Sequence, residues 1–302
     1  MASHQHQHQH QHQHQHHDHY GAQQSSTTQD TFTDINRKHW DQAASTYSSA
    51  QWQKNFTNQT HAFILSNLNW IGVDFADPSD GFEEGAPQPR QVRVLDYACG
   101  PGTITSALQG HATEFVGVDV SENMVKAYNE KFTASDQQGG TITQTAEAFV
   151  GNLLDNDGPS ESVSGTQFFN FDLAVVGYSF HHFENLEVAT SRLAARLKPG
   201  GVLLIVDFMT HAKVEAGDPA KNTIAHHGFG EDEVKSLFGK AGLLDVDIVK
   251  MEGTIEIKKH GAKDGEPGQK REVFLGRGRK PALGAGATKK EEEFSPEQIK
   301  EL

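Results

Sequence analysis

One strand–turn–helix segment constrains the fold of this chain more than any other feature. Residues 92–97 form a short apolar run that contains the carboxylate of Asp96, and a turn through Gly100 and Gly102 leads into a predicted helix over 102–108. Glycines allow positive φ angles and let a ligand approach the backbone closely. In open α/β sheets, ligands lie beyond the carboxyl ends of the strands. The segment therefore predicts a ligand site at one edge of a parallel sheet.

Strands and helices alternate after this segment. Further strands are predicted over 115–120, 142–150, 171–176 and 202–206, and helices over 121–132, 186–197 and 234–241. Ser121 is the predicted N-cap of the first of these helices, and the residues Lys198-Pro199-Gly200-Gly201 are predicted to stop the second. Two last strands, over 244–257 and 272–279, are expected to pair as an antiparallel hairpin around a polar loop over 259–269. Such alternation predicts an α/β, Rossmann-like doubly wound sheet with helices on both faces.

The two ends of the chain differ in composition from this core. His and Gln alternate almost strictly over 4–19, and the polar residues that follow extend a predicted disordered tract over 1–29. Such a tract binds Ni²⁺ or Zn²⁺ loosely, and whether it is native or a tag stays open. Phe56, Phe63, Ile64 and Leu68 share one helical face, whereas 77–89 is predicted to be a loop. We expect one domain over 30–279 and a flexible tail over 280–302.

Composition narrows the classes of partner. The 302 residues carry 26 basic and 40 acidic side chains, a net charge of −14. Proteins that bind many phosphates usually present a basic surface, so nucleic acid is disfavoured, although Arg277-Gly278-Arg279-Lys280 is a candidate local patch. Cys99 is the only cysteine, which favours a reducing compartment and a cytoplasmic location. The absence of an apolar run of about 18 residues or of a secretory signal predicts no membrane partner.

A second acid helps to distinguish two classes of ligand. Asp119 ends the next predicted strand, where an acid can accept hydrogen bonds from both hydroxyls of a ribose. The dinucleotide fingerprint needs a third small residue after Gly100 and Gly102, and Thr105 stands there instead. A NAD-dependent oxidoreductase is therefore disfavoured, whereas an acidic loop favours a cationic ligand.

Three segments resemble motifs of the class I S-adenosylmethionine-dependent methyltransferases of the small-molecule type. LDYACGPG over 95–102 resembles motif I, FVGVDVS over 115–121 resembles the acidic strand that binds the ribose, and RLKPGGVL over 196–203 resembles the late motif before the fifth strand. The motifs occur in the family's order, and the resemblance covers about 31–279. It implies S-adenosyl-L-methionine as cofactor and a seven-stranded sheet whose last strand is antiparallel.

The resemblance also implies which residues bind the cofactor. They are Asp96, Ala98, Gly100, Gly102, Asp119, Val120, Asn152, Leu153, Gly177, Tyr178 and Tyr47. Two positions depart from the family pattern: Ala98 stands where glycine is usual, so its methyl group narrows the methionine pocket. Asn152 occupies the place of an acid near the adenine; it can still donate and accept hydrogen bonds, and Asp155 is a nearby alternative.

Two adjacent histidines are candidate catalytic bases. His181 and His182 follow the fourth predicted strand, whose end lies beside the methyl group in the family. An imidazole of near-neutral pKa can take the proton from an attacking hydroxyl or amine. The alternative is that one of them only braces the loop. No metal site is expected, because neighbours in a strand-like segment point opposite ways.

Two further segments are candidates for the walls of the site. His226-His227-Gly228-Phe229 is expected in the acceptor wall, with a simple loop as the alternative. Tyr47 lies in a segment that resembles the N-terminal cover of small-molecule members, where an aromatic ring can shield a sulfonium by a cation–π contact. The alternative for Tyr47 is a core aromatic in a helix.

These observations predict a methyltransferase that acts on a small organic acceptor, by in-line displacement at the methyl carbon. The alternatives are an RNA or protein methyltransferase of the same fold, a NAD-dependent oxidoreductase, and a non-catalytic methyltransferase-like binding module. Arsenic methylation is disfavoured because it needs several cysteines. The acceptor, the atom methylated and the oligomeric state stay open, because the acceptor pocket is built from the least patterned segments.

Overall fold

A computed structural model describes residues 30–47, 49–76, 90–135, 144–213, 219–259, 262 and 265–282. The predicted tract over 1–29, the loop over 77–89 and residues 283–302 of the predicted tail lie outside the described residues, so those predictions stay open. Among the described helices, none combines the length and the apolar character needed to cross a membrane.

A seven-stranded sheet forms the centre of the domain. Its strands are β1 (Arg93–Tyr97), β2 (Glu114–Asp119), β3 (Thr145–Val150), β4 (Phe171–Gly177), β5 (Leu197–Phe208), β6 (Leu244–Lys250) and β9 (Val273–Arg279), whereas β7 (Ile255–Ile257) and β8 (Gln269–Arg271) pair separately. The spatial order is β3-β2-β1-β4-β5-β9-β6, and β9 runs antiparallel to both of its neighbours. This arrangement confirms the predicted doubly wound sheet with an antiparallel last strand.

Helices cover both faces of the sheet. They are α1 (Phe32–Ala43), α2 (Gln51–Ser66), α3 (Leu68–Ile71), α4 (Thr103–Leu108), α5 (Glu122–Ser135), α6 (Leu186–Arg196) and α7 (Glu231–Lys240). Alternate residues of β4 belong to two different cores: Leu173 and Val175 pack with residues of α2 and α4, and Ala174 and Val176 pack with residues of α6 and α7. Burial on both faces explains why β4 is an unbroken apolar run after Asp172.

Local sequence signals predicted most helix and strand boundaries to within a few residues of those in the structure. The hydroxyl of Ser121 accepts a hydrogen bond from the Met124 N–H at 3.1 Å, which confirms the predicted N-cap of α5. The predicted strand over 244–257 is divided: β6 pairs with β9, and β7 pairs with β8 after a turn in which Gly253 has a φ of 81°. Because β6 and β7 pair with different strands, the structure has two strands where the sequence predicted one.

The candidate basic patch at the end of β9 is engaged inside the domain. Arg279 donates to the carbonyl oxygens of Gly200 and Gly72, both at 2.8 Å. The Arg277 guanidinium lies 4.9 Å from the ring centre of Trp70, and the Lys280 ammonium donates to the Leu197 carbonyl at 2.8 Å. These cations hold the end of β9 against β5 and against the segment around Trp70 and Gly72.

Candidate active site

A cavity opens at the carboxyl ends of the central strands, where α1 covers it. Its volume is about 1240 Å³ with the mouth included. Nine of the eleven predicted cofactor residues line it: Tyr47, Asp96, Ala98, Gly100, Asp119, Val120, Asn152, Gly177 and Tyr178. The sheet topology explains this convergence, because the ends of neighbouring parallel strands meet at one edge.

The Asp96 carboxylate is only half satisfied. One oxygen, Oδ2, accepts hydrogen bonds from the hydroxyl and the backbone N–H of Thr105, at 2.8 and 3.2 Å. The other oxygen, Oδ1, is buried and has no hydrogen-bond partner. Burial raises the pKa of Asp96 to about 7. An unpartnered buried acceptor costs about 1–3 kcal/mol, and a donor or cation placed beside it would recover that free energy.

Asp119 holds the turn that follows β1. Its two carboxylate oxygens accept the backbone N–H groups of Gly100 and Ser121, each at 2.9 Å. Burial is the main reason why the pKa of Asp119 rises to about 6. Each carboxylate oxygen has a second lone pair, so both oxygens can still accept a hydrogen bond from a ligand.

Two non-glycine residues with positive φ lie at the strand ends that line the cavity. Ala98 and Tyr178 each have a φ of 54°. Tyr178 is fixed on both sides, since its N–H donates to the Val206 carbonyl at 2.7 Å and its hydroxyl lies 2.9 Å from Oγ1 of Thr60. Residues held in this region of backbone space cost about 1–3 kcal/mol and concentrate at functional sites.

The other two predicted cofactor residues are not among the lining residues. Gly102, with a φ of 80°, packs against α5, and an added Cβ would lie 2.4 Å from the Phe132 ring. Leu153 is buried in the core, and its N–H donates to the Tyr97 hydroxyl at 3.1 Å. The structure therefore gives these two residues packing roles, and their contact with a cofactor stays a prediction.

Asn152 is held in the cavity wall by three neighbours. Its Oδ1 atom accepts hydrogen bonds from the Tyr97 hydroxyl and the Leu154 N–H, both at 2.9 Å. Its Nδ2 atom donates to Oδ1 of Asp155 at 2.5 Å. One N–H of the amide is left to donate to a ligand. Asp155, the predicted alternative, orients Asn152.

The two candidate histidines lie on a single 3₁₀ turn over Phe180–His182. Their ring centres are 4.1 Å apart. The expectation that the side chains point opposite ways is wrong, because it assumed a strand-like backbone, whereas a 3₁₀ turn has three residues per turn. Among the described residues, no group of three or more His, Cys, Asp or Glu side chains has the arrangement of a metal site.

Hydrogen bonds fix each imidazole through its Nδ1 atom. Nδ1 of His181 lies 2.8 Å from Oδ1 of Asp207, and Nδ1 of His182 lies 2.6 Å from the Thr223 carbonyl. A carbonyl can only accept, so Nδ1 of His182 carries the hydrogen and Nε2 of the neutral ring is a free acceptor. Burial, together with the neighbouring His181, lowers the pKa of His182 well below its usual value. His182 lines the cavity, and His181 is not among the lining residues.

Comparisons with known proteins find methyltransferases among the proteins similar to this chain. Residues 95–203 match the family model of a methyltransferase domain. An uncharacterized methyltransferase of Schizosaccharomyces pombe is 33% identical over 164 residues, which are 52% of this chain and 55% of that protein. Residues 95–203 are thus a methyltransferase domain. The ubiquinone/menaquinone biosynthesis C-methyltransferase UbiE of Saccharophagus degradans is 27% identical over 38% of this chain and 43% of that protein.

A solved structure shares the fold of this methyltransferase domain. Magnesium protoporphyrin IX methyltransferase from Synechocystis, with bound SAM, superposes with a TM-score of 0.50 at 15% identity; the match covers 84% of this chain and all of that one. The likeness concerns the fold alone. The chain spans about half the length of the curated relatives it matches.

The methyltransferase domain has site residues that the sequence did not reveal. Phe32 and Asn36 on α1 line the cavity beside Trp40, which belongs to the segment 39–47 that resembles the N-terminal cover; the first two lie outside that segment. The start of α1 had a local signal, since the side chain of Thr31 caps the N–H of Asp34 and the Asp34 carboxylate returns to the N–H of Thr31. Nothing in the sequence indicated which face would meet the cavity.

The predicted acceptor-wall segment lies behind the histidine pair of the methyltransferase domain. The backbone N–H groups of Ala225 and His226 both donate to the His181 carbonyl at 3.0 Å, and Phe229 is fully buried. Neither histidine of this segment is among the residues that line the cavity. The segment packs behind the turn that carries His181 and His182, and its two histidines lie outside the cavity lining.

Proposed function

We propose that this domain transfers a methyl group from S-adenosyl-L-methionine to a small organic acceptor. The observation that carries the proposal is the unpartnered Oδ1 atom of Asp96 in a cavity that Asp119 also lines. The cofactor is a cation with an ammonium and a sulfonium, so a buried carboxylate with a free oxygen is complementary to it. The match of residues 95–203 to the methyltransferase domain model supports the same cofactor.

The residues of the cavity suit the parts of this cofactor. Asp96 would accept the ammonium, the free lone pairs of Asp119 would accept the ribose hydroxyls, and the remaining N–H of Asn152 would meet the base. Tyr47 supplies an aromatic face for the sulfonium. When bound, the cofactor supplies an electrophilic methyl group. The chain contributes by positioning, water exclusion and control of one proton.

His182 is the candidate base. Its Nε2 atom is the free acceptor of the ring, so it can take the proton that a hydroxyl or amine loses as that group attacks the methyl carbon. His181, held by Asp207, packs against the His182 ring and fixes its position. His182 is thus proposed as the catalytic residue of the pair, with His181 as a positioning residue.

Helix α1 excludes water from the reacting groups. Asp41 at its carboxyl end accepts hydrogen bonds from the Ser121 hydroxyl at 2.6 Å and the Asn123 N–H at 3.1 Å. These contacts fasten the helix beside Asp119. A covered site strengthens electrostatic contacts and prevents hydrolysis of the activated group.

Two observations favour a small acceptor over RNA or protein. The cations of the candidate basic patch are occupied by contacts within the domain. A relative named for ubiquinone and menaquinone biosynthesis supports a small organic substrate by analogy.

Titration calorimetry with S-adenosylmethionine, S-adenosylhomocysteine and NAD tests the proposal. We expect the first two to bind and NAD not to bind. Asp119→Ala should weaken cofactor binding by about 1.5–3 kcal/mol, as for lost hydrogen bonds to a charged group. Asp247→Ala, outside the cavity, is the matched control. Tight NAD binding without a response to S-adenosylmethionine would refute the proposal.

A further inference from the structure

One stripe of α1 faces the cavity. Phe32, Asn36 and Trp40 lie four residues apart, so they share one face of the helix, and all three line the cavity. The Trp40 ring centre lies 5.3 Å from that of His182. This stripe therefore stands next to the candidate base.

Asn36 carries an acceptor atom that nothing in the chain satisfies. Its Nδ2 atom donates to the Phe32 carbonyl at 3.1 Å, which identifies the other side-chain atom as the amide oxygen. That oxygen is buried without a hydrogen-bond donor, and the residue is only 7% exposed. Among the lining residues that the structure describes, only Asn36 and Asp96 have such an atom. The cofactor proposal accounts for Asp96 and leaves Asn36 unexplained.

The cavity that Asn36 lines has several aromatic side chains and, among its described lining residues, no Lys or Arg. Phe32, Trp40, Phe56 and Phe183 line the cavity, and no Lys or Arg is found among its lining residues within the described parts of the chain. A carboxylate or phosphate would enter without a cation to compensate its loss of hydration.

A cationic acceptor would meet a similar cost. Burial here lowers the pKa of His182 well below its usual value, so the same surroundings penalise a positive charge. The acids Asp96 and Asp119 belong to the proposed cofactor half, and Glu184 is exposed.

Resting on the proposed function, we propose that the acceptor is an uncharged aromatic molecule with a hydroxyl or amino donor, and that the Asn36 amide oxygen accepts its hydrogen bond. The aromatic stripe provides the contact area, and Asn36 selects for the donor. A site that hydrogen-bonds a hydroxyl discriminates against analogues without one, because its own polar atom is then left unpaired.

Four naphthalene probes of similar size distinguish the effect of a hydrogen-bond donor on binding from the effect of a negative charge. Calorimetry measures their binding to the full chain saturated with S-adenosylhomocysteine. We expect 2-naphthol to bind at least about 10-fold more tightly than 2-methoxynaphthalene, which lacks the donor, and than 2-naphthoate or 2-naphthyl phosphate, which are anionic.

Asn36→Leu separates recognition from folding. Removing an unpartnered buried oxygen should leave the melting temperature unchanged or raise it. The same change should weaken 2-naphthol binding about 5- to 10-fold and leave S-adenosylhomocysteine binding unchanged. Asn55→Leu, at an exposed position of α2 outside the cavity, is the matched control and should change neither quantity.

The outcomes distinguish the two proposals. Failure of S-adenosylhomocysteine to bind would overturn the proposed function. Its binding together with a preference for an anionic probe, or with no probe bound, would overturn the acceptor class alone. An unchanged preference of Asn36→Leu for 2-naphthol over 2-methoxynaphthalene would remove Asn36 from acceptor recognition.

Discussion

The imidazole of His181 and the carboxylate of Asp207 form a two-point contact inside the core. Nδ1 of His181 lies 2.8 Å from Oδ1 of Asp207, and the His181 backbone N–H donates to Oδ2 at 3.1 Å. Asp207 is fully buried and also accepts the N–H of Phe208 at 2.7 Å. One carboxylate on β5 thereby fixes both the ring and the backbone of the turn after β4.

We expect Asp207→Asn to destabilise the domain by about 2–4 kcal/mol, because the amide replaces an acceptor with a donor beside N–H groups. Urea denaturation measures the change. Asp247→Asn is the control, since Asp247 accepts the Trp70 indole N–H on the exposed surface, and it should cost less than about 1 kcal/mol. Equal effects for the two variants would show that Asp207 does not brace the turn.

His182→Ala should lower turnover by about 10²- to 10⁴-fold with little change in cofactor affinity, as expected for loss of a general base. His111→Ala, outside the cavity, should leave turnover unchanged. Steady-state rates together with calorimetry make the comparison. Near-normal turnover in His182→Ala would mean that proximity alone carries the reaction, and loss of cofactor binding would place the turn in the adenosine pocket.

The same histidine sets a pH dependence. A base works only when deprotonated, and the pKa of His182 is lowered, so its protonation begins below the usual pH 6.5 of an imidazole. We expect kcat to stay level from pH 8 down through 6.5 and to fall only at lower pH. A decline centred above pH 6.5 would contradict the buried, neutral ring.

Binding of S-adenosylmethionine should release a proton at pH 6.5. Burial raises the pKa of Asp96 to about 7, so most of the free protein holds a proton there, and a bound cation favours the carboxylate. Calorimetry in buffers of different ionisation enthalpy counts the released protons. The release should shrink at pH 8.5, where Asp96 is already ionised, and in Asp96→Asn, where only Asp119 contributes. A release that Asp96→Asn leaves intact would assign the proton to another group.

Ala98→Gly should stabilise the protein by about 0.5–1 kcal/mol, because glycine adopts the φ of 54° without strain. Ala107→Gly, inside α4, should instead destabilise it by a similar or larger amount. Thermal and urea unfolding of both variants test this. A destabilised Ala98→Gly variant would show that packing of the methyl group outweighs the backbone strain.

Local patterns in the sequence were sufficient to predict the sheet and most of the residues proposed to hold the cofactor as residues of one cavity. Asp119 ends β2 and Asp96 is the last residue but one of β1. Parallel pairing brings the carboxyl ends of such strands to one edge, so their convergence followed from the order of elements. Ala98 could be singled out in the sequence because it stands where the motif usually has glycine, and the structure gives this residue a positive φ.

The part of the cavity proposed to bind the acceptor depends on contacts that no local sequence pattern encodes. Asp207 follows an apolar strand that was expected to end at Val206, and its partner His181 lies 26 residues earlier along the chain. The orientation of the two histidines differs from the prediction because the backbone forms a 3₁₀ turn there and not a strand. Asn36 meets the cavity because Asp41 fastens α1 to α5, a contact across 80 residues.

The attachment of α1 through Asp41 has a kinetic consequence. Ser121 and Asn123, which hold Asp41, lie within four residues of Asp119, and the same helix places Asn36 in the cavity lining. The same helix would then border both ligands, so a bound cofactor that contacts it completes the surface on which the second ligand binds. Such an arrangement favours an ordered sequence of encounter, with the methyl donor first and the acceptor second.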